Sequence, residues 1–256
     1  MALIDYARQG RKLEDILVFD AHAHLHSIDG MDAVPLEEQV AEMDRIGIDV
    51  AAVSSCQALA AQFERGNDEV AEAVSRYPGR FVGYCHVSAN YPELMLPELG
   101  RCFAGKGFRG IKVYQVGTPY DSPLFEPVWE FAKARGVPVL AHTWGGDLTG
   151  LDKAAQQQPD VVFIAAHAGS AFAYEPYIQA ARREPSLYLD LTYSREHTNM
   201  IEHFVEQVGV EKLAWGTDVP CFSMSAQVSK ILFARISDGD KRKILYDNAA
   251  RLFGLT

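Results

Sequence analysis

The chain has 256 residues, of which 48% are hydrophobic and 23% charged, so it contains enough apolar material for a large core. Its net charge of -10, without a basic stripe, argues against nucleic acid as a partner. A cytoplasmic protein without a membrane segment is predicted, because the four cysteines lack CxxC spacing, no signal peptide is evident and no apolar run approaches roughly 18 residues.

Short runs of β-branched and aromatic residues recur along the chain, and each is followed by a segment with helical spacing of apolar residues. Most of these runs are continuously apolar, which is typical of parallel strands that are covered on both faces. The predicted strands lie at 16–22, 49–54, 81–86, 109–114, 137–142, 161–166, 187–191 and 212–217. The predicted helices lie at 36–46, 68–77, 92–103, 124–134, 151–158, 174–183, 199–208, 226–236 and 241–253, after a lead-in segment at 1–15.

Eight strands that alternate with helices predict one α/β domain over residues 1–256, folded as a regular or distorted (β/α)8 TIM barrel. A doubly wound open sheet is the alternative. It is disfavoured because no Gly-rich phosphate-binding loop follows the first strand. In a (β/α)8 barrel the active site lies at the C-terminal ends of the strands, so those ends are where candidate residues are sought.

The first strand ends in Asp20-Ala-His-Ala-His24. Successive side chains of a strand point to opposite faces, so His22 and His24 share one face. Two imidazoles at such adjacent positions can hold one metal ion. A single packed core histidine would be the simpler interpretation of either residue, but a His-x-His pair at the end of a buried strand favours a metal site.

Later strand ends add similar residues. His142 ends the fifth predicted strand, His167 follows the sixth and Asp218 follows the eighth. Imidazole and carboxylate groups are the ligands that a catalytic divalent ion takes while it keeps a position for water. Independent structural roles would explain each residue alone but not their common position at one end of the barrel. The pattern therefore predicts a metal-dependent enzyme.

These strand ends resemble the amidohydrolase superfamily, in particular its amidohydrolase-2 branch of metal-dependent hydrolases and decarboxylases. The resemblance rests on motifs that cover almost the whole chain in order: FDAHAHL (19–25), GFRGIKVY (107–114), PVLAHTW (138–144), FIAAHAG (163–169), WGTDVP (215–220) and KILYDNAARLFGL (243–255). The His-x-His motif alone would be modest evidence. The complete set of strand-end motifs and the closing helix is strong evidence.

The resemblance implies that His22, His24, His142 and Asp218 bind one divalent ion, with Zn²⁺ as the expected metal. Asp218 would also accept a proton from metal-bound water, and His167 would act beside the metal as a second base or a polarising group. Some superfamily members carry a carboxylated lysine on the fourth strand that bridges two metals. Lys112 is therefore a candidate bridging ligand for a second ion; pairing with an acid elsewhere is the alternative.

Further residues at or beyond strand ends are candidates for contact with the substrate. Aromatic residues could line an apolar or aromatic pocket, an arginine could bind a carboxylate in a bidentate manner, and histidines could contact substrate directly. Ordinary packing or solvation would also explain each of them. The candidates are His26, His86, Tyr114, Trp144, Tyr193 and Arg195.

The leading functional prediction is hydrolysis of a small amide, ester or lactone by a metal-activated water. The alternative is non-oxidative decarboxylation of an unsaturated or aromatic carboxylic acid, which the same branch also performs. A TatD-like nuclease ranks lower because such enzymes carry a ligating glutamate where this chain has Lys112. A non-enzymatic binding protein also ranks low, since no ligand of the predicted set is missing. The expected partner is a small-molecule substrate, and a homo-oligomer is an open alternative to a monomer.

Overall fold

The computed structural model describes residues 1–25, 34–59, 62–105, 107–114, 117–193 and 197–255. Within them, eight parallel strands lie side by side in chain order, each hydrogen-bonded to the next. All eight occur where the sequence predicted strands, although the fifth, sixth and eighth have only two or three residues. The strands are β1 (Phe19–Leu25), β2 (Val50–Ser55), β3 (Phe81–Val87), β4 (Phe108–Val113), β5 (Val139–Ala141), β6 (Phe163–Ala165), β7 (Leu187–Asp190) and β8 (Leu213–Ala214).

The first strand meets residues 215–219, which follow β8, and this junction is called the seam below. The amide of Ala21 donates to the carbonyl of Trp215 at 2.9 Å, and the amide of His24 donates to the carbonyl of Val219 at 2.8 Å. At Gly216 a Cβ atom would lie 2.6 Å from Cβ of His22. Glycine there lets the two chain segments approach closely. The strands thus close into the predicted (β/α)8 barrel.

Helices follow the strands and surround the barrel. Helices α2 and α6 end at glycines, Gly47 and Gly136, which adopt left-handed conformations with φ of 96° and 62°. The helices are α1 (Leu3–Gln9), α2 (Leu36–Ile46), α3 (Cys56–Leu59), α4 (Phe63–Arg76), α5 (Pro92–Ala104), α6 (Glu126–Arg135), α7 (Leu151–Gln157), α8 (Tyr174–Arg183), α9 (Met200–Val208), α10 (Met224–Phe233), α11 (Asp238–Arg242) and α12 (Asn248–Leu252). In the part of the chain that the structure describes, none of them combines the length and apolar character that crossing a membrane requires.

The core has two apolar layers. The larger layer fills the space between strands and helices, and the smaller one fills the barrel interior at the N-terminal ends of the strands. Phe253, just after α12, lies against Phe19 and Tyr84 with ring centroids 5.1 and 5.4 Å apart. The end of the chain thereby closes one mouth of the barrel. Polar side chains are left to occupy the opposite mouth, where the strands end.

Candidate metal centre

Two histidines from β1 form the middle of the candidate site. The pairing of β1 with β2 shifts register between Asp20 and Ala23, and such a bulge re-aims the side chains that follow it. The rings of His22 and His24 are buried, with centroids 5.1 Å apart. Nδ1 of His24 lies 2.9 Å from the hydroxyl of Ser54 on β2. This contact orients the ring so that its other nitrogen, Nε2, faces the site.

Asp218 reaches both imidazoles from the other side of the seam. Its Oδ1 lies 3.1 Å from Nε2 of His24 and 3.6 Å from Nε2 of His22. Its backbone is left-handed, with φ of 56°, and its amide donates to the carbonyl of His22 at 2.7 Å. Burial by itself raises the pKa of Asp218, but the hydrogen bond from His24 and the adjacent imidazoles outweigh burial and lower it. The side chain is therefore an ionised carboxylate.

Asp190, at the end of β7, is a buried carboxylate that the sequence did not reveal. It orients His22 through the ring nitrogen that does not face Asp218. Oδ2 of Asp190 accepts a hydrogen bond from Nδ1 of His22 at 2.7 Å, and the amide of Thr192 donates to Oδ1 at 3.1 Å. Burial, reinforced by the charge of Lys112, lowers the pKa of His22 well below its usual value, so the imidazole is neutral. The available signal was a single carboxylate within the apolar run 187–191.

Asp190→Asn is expected to weaken divalent-metal affinity, or the catalytic rate, by about 10- to 100-fold. The amide cannot act as a full carboxylate acceptor for Nδ1 of His22, so the ring loses its fixed orientation and part of its basicity. Metal affinity is measured by competition with a chelator of known affinity. The matched control is Asp160→Asn, at an exposed carboxylate. Equal affinity and rate in both variants would contradict this role for Asp190.

His167 enters the site from the loop after β6. Its ring centroid lies 5.0 Å from that of His22 and 4.9 Å from that of His142. Nδ1 of His167 donates to the carbonyl of Thr192 at 2.7 Å, because a carbonyl can only accept. Burial lowers the pKa of His167, which favours the neutral form. Its Nε2 therefore carries a free lone pair, suited to accept or return a proton.

His142 follows β5 directly and is only partly buried. Its ring packs on Tyr114, with centroids 4.2 Å apart, and its amide donates to the carbonyl of Val113 at 3.0 Å. Burial, followed by the charge of His167, lowers the pKa of His142 to about 2. Its ring nitrogens do not belong to a cluster of three potential ligands among the described residues. Its metal-binding role stays a prediction.

Lys112 lies on β4 with only 1% of its surface exposed, and its Nζ is 3.2 Å from Nε2 of His22. Burial lowers the pKa of Lys112 to about 8, and the charges of Asp218 and Asp190 oppose that shift. In the strand register Lys112 pairs with His86 on β3. The structure thus places this lysine at the site. Carboxylation of Lys112 and a second metal ion remain predictions.

Aromatic side chains lie at the open side of the site. Trp144 is half exposed, and its ring lies 5.7 Å from that of His167 and 5.2 Å from that of Tyr193, in both cases edge to face. Both residues were predicted to line a substrate pocket, which these contacts do not test. His26 and Arg195, also predicted to contact substrate, lie outside the described residues.

The donor set fits a divalent metal ion. The potential ligand atoms of His22, His24 and Asp218 all lie within 4.8 Å of one another, and all three residues are buried. Two neutral imidazoles and a carboxylate are ligands that Zn²⁺, Mn²⁺ and related ions accept. In a second cluster, formed by His22, His167 and Asp190, Oδ2 of Asp190 accepts hydrogen bonds from Nδ1 of His22 at 2.7 Å and from the backbone amide of His167 at 3.4 Å.

Comparison with known proteins gives the chemistry of related chains. Residues 19–255 match the family model described as Amidohydrolase. A γ-resorcylate decarboxylase from Polaromonas sp. (strain JS666 / ATCC BAA-500) is 24% identical, over 75% of this chain and 76% of that protein.

Two solved structures show the same fold. A dihydroxybenzoic acid decarboxylase from Polaromonas sp. JS666, with bound manganese and the inhibitor 2-nitroresorcinol, has a TM-score of 0.79 at 19% identity and covers 94% of this chain and 97% of its own. A 5-carboxyvanillate decarboxylase from Sphingomonas paucimobilis has a TM-score of 0.76 at 18% identity and covers 94% of this chain and 100% of its own. At these identities the structural similarity establishes the fold alone.

The predicted hydrolysis of an amide, ester or lactone is wrong. The curated γ-resorcylate decarboxylase that matches three quarters of this chain releases CO₂ rather than hydrolysing its substrate. This finding favours the alternative, non-oxidative decarboxylation. The error has a physical reason: the same strand-end imidazoles and carboxylate serve both reactions, so the ligand set alone does not distinguish them.

Proposed function

Since the chain belongs to the amidohydrolase family, we propose that it is a metal-dependent decarboxylase that releases CO₂ from an aromatic carboxylic acid without net oxidation. The observation that carries the proposal is the buried cluster of His22, His24 and Asp218, in a chain whose curated relative decarboxylates an aromatic acid. These three residues would hold the ion. His142, at the neighbouring strand end, is the proposed fourth ligand.

The aromatic side chains support a planar substrate. Trp144 and Tyr193 meet edge to face at 5.2 Å, and Tyr114 lies over His142 at 4.2 Å. Aromatic pairs prefer such offset or edge-to-face arrangements, and a substrate ring can join them. We place the ring of the substrate against Trp144, with its carboxylate directed toward the histidine and aspartate cluster. Tyr114 is proposed to contact substrate from the same side.

The proposed reaction balances as a replacement of CO₂ by a proton. The bond between the ring carbon and the carboxyl carbon breaks, its electron pair stays on the ring carbon, and CO₂ leaves. When bound, the ion supplies positive charge that holds and orients the anionic substrate. His167 or Asp218 first takes up a proton from solvent water and then delivers it to the ring carbon, so that one proton replaces each CO₂ released; both residues are buried.

The fixed hydrogen bonds explain how His167 can perform this step. Its Nδ1 is bound to the carbonyl of Thr192 at 2.7 Å, so only Nε2 is available to take up and release the transferred proton. The same bond steadies the ring while its charge changes. Asp218, whose Oδ1 is 3.1 Å from His24, is the alternative donor. The variants Asp218→Asn and His167→Asn separate the two roles.

Metal identity is the finer part of the proposal. Zn²⁺ is the ion expected from the sequence, whereas the solved dihydroxybenzoic acid decarboxylase contains manganese. Both ions accept imidazole and carboxylate ligands. We therefore propose one divalent ion per site and test Mn²⁺ beside Zn²⁺.

The function is tested with 2,6-dihydroxybenzoate, 5-carboxyvanillate and a set of lactones and amides, on metal-depleted protein reloaded with Mn²⁺ or Zn²⁺. We expect one CO₂ for each molecule of decarboxylated product, no activity after chelation and recovery on reloading. Product is identified by chromatography and metal content by elemental analysis. Metal-loaded protein that releases no CO₂ from any acid of the panel would contradict the proposal.

A further inference from the structure

Lys112 is a buried cation for which the described residues provide no anionic partner. No carboxylate of the described residues lies within ion-pair distance of its Nζ, and its one hydrogen-bond contact there is Nε2 of His22 at 3.2 Å. A buried charge is costly unless it is paired. The metal cluster demands that same nitrogen lone pair of His22. A metal-loaded site therefore leaves the ammonium of Lys112 without its present acceptor.

His86 provides a second acceptor beside it. The two residues are register partners on adjacent strands β3 and β4, which lie about 4.8 Å apart in parallel sheets. His86 is 2% exposed, and its Nδ1 has no hydrogen-bond partner within the described ranges. Its backbone is fixed on both sides by Asn67, at 2.9 and 3.0 Å. An imidazole with an unsatisfied nitrogen, on a backbone fixed by Asn67, thus lies next to Lys112. The ammonium of Lys112 loses Nε2 of His22 as an acceptor when a metal ion binds.

The position of Lys112 relative to the metal cluster indicates that its ammonium can bind an anion that reaches the cluster. Its Nζ contacts the same His22 nitrogen that faces Oδ1 of Asp218. A substrate anion that reaches the cluster therefore also reaches the ammonium. A charge-assisted hydrogen bond between an ammonium and a carboxylate is about twice as strong as a neutral one. The unpaired cation then gains its partner only when an acid is bound.

We propose that Lys112 binds an anionic oxygen of the substrate acid and that His86 is the positioning residue that holds the ammonium toward it. This inference rests on the proposed function and adds to it a group that selects acids over their neutral decarboxylation products. It also replaces the bridging role: a carboxylated Lys112 would put negative charge where we place a cation.

The test is equilibrium binding to the Mn²⁺-loaded protein that carries His167→Asn, in which slow turnover leaves the acid intact during the measurement. For Lys112→Met we expect the affinity for 2,6-dihydroxybenzoate to fall about 10- to 100-fold, the usual loss for a hydrogen bond to a charged group. The affinity for resorcinol, the product without the carboxylate, should change less than about twofold. Lys241→Met is the matched control, because Lys241 is also a buried lysine but donates to the carbonyl of Leu232 on the helical exterior.

The positioning role is tested at His86. His86→Phe keeps a ring but removes the acceptor, and should weaken acid binding about threefold to tenfold, less than loss of the cation itself. His86→Asn places a carbonyl oxygen near the position of Nδ1 and should restore most of the affinity. A purely structural His86 would not show this rescue. Circular dichroism and metal content, measured for each variant, identify any that fail to fold or load.

Other outcomes overturn the inference. Equal losses for acid and resorcinol in Lys112→Met indicate a structural lysine, and unchanged acid binding indicates that the metal alone holds the carboxylate. A carbamate resonance in NMR spectra after labelling with isotopic bicarbonate also contradicts it, as does wild-type protein that fails to bind the acid. Decarboxylation that is independent of Lys112 refutes only this inference, whereas specific acid binding without CO₂ release refutes only the proposed function.

Discussion

Asp218→Asn is expected to lower the decarboxylation rate by about 1,000-fold or more, the scale of losing a catalytic acid–base group. The carboxylate lies 3.1 Å from Nε2 of His24 and 3.6 Å from Nε2 of His22. An amide there has no negative charge and can direct its NH₂ group at the two lone pairs. Both effects weaken the binding of a cation by His22, His24 and residue 218, so metal affinity should also fall.

Rate and bound metal are measured together in this variant, by CO₂ release and elemental analysis. Reloading at high Mn²⁺ separates the two losses, because it restores occupancy but not the missing carboxylate. Asp247→Asn, at an exposed position before α12, is the control for the substitution itself. Turnover within a few fold of wild type in Asp218→Asn would remove this residue from both proposed roles.

His167→Asn is expected to reduce kcat by about 100- to 10,000-fold while metal content stays at the wild-type value. The asparagine amide can still donate to the carbonyl of Thr192, which His167 Nδ1 contacts at 2.7 Å, so the local packing is largely kept. What disappears is Nε2, the nitrogen proposed to carry the proton. The measurement is single-turnover CO₂ release at saturating metal and acid.

The control for this variant is His203→Asn, since His203 is exposed on α9 and should tolerate the change. A wild-type rate in His167→Asn would assign proton delivery to Asp218. Loss of metal together with the rate would instead make His167 a metal ligand. Asp218→Asn and His167→Asn together therefore distinguish proton transfer from metal binding.

The barrel could be predicted because its strands are covered on both faces. Runs such as 81–85 and 161–166 contain no charged residue and are largely apolar, a pattern typical of parallel strands that are covered on both faces. The ends of the strands were predicted less accurately: the run at 212–217 contains a strand of only two residues, Leu213–Ala214. The rest of that run forms the seam, where hydrogen bonds to β1 replace a regular ladder.

The site was predictable only where residue type and position act together. His22, His24 and Asp218 are unusual residues at strand ends, and the structure brings them together. Asp190 escaped notice because its role depends on one hydrogen bond to His22, at 2.7 Å, from a residue 168 positions earlier in the chain. No local pattern encodes such a contact. The choice between hydrolysis and decarboxylation could not be made from the sequence either, because the same ligand set serves both reactions.

The seam has a consequence for how cofactor loading and folding depend on each other. His22 and His24 belong to the first strand of the barrel, whereas Asp218 belongs to the segment that follows the last one. An ion bound by these side chains would link the first and last strands of the barrel. Because it binds only when β1 and residues 215–219 lie together, metal binding favours the closed barrel by mass action. We therefore expect removal of the ion to destabilise the junction of β1 with residues 215–219.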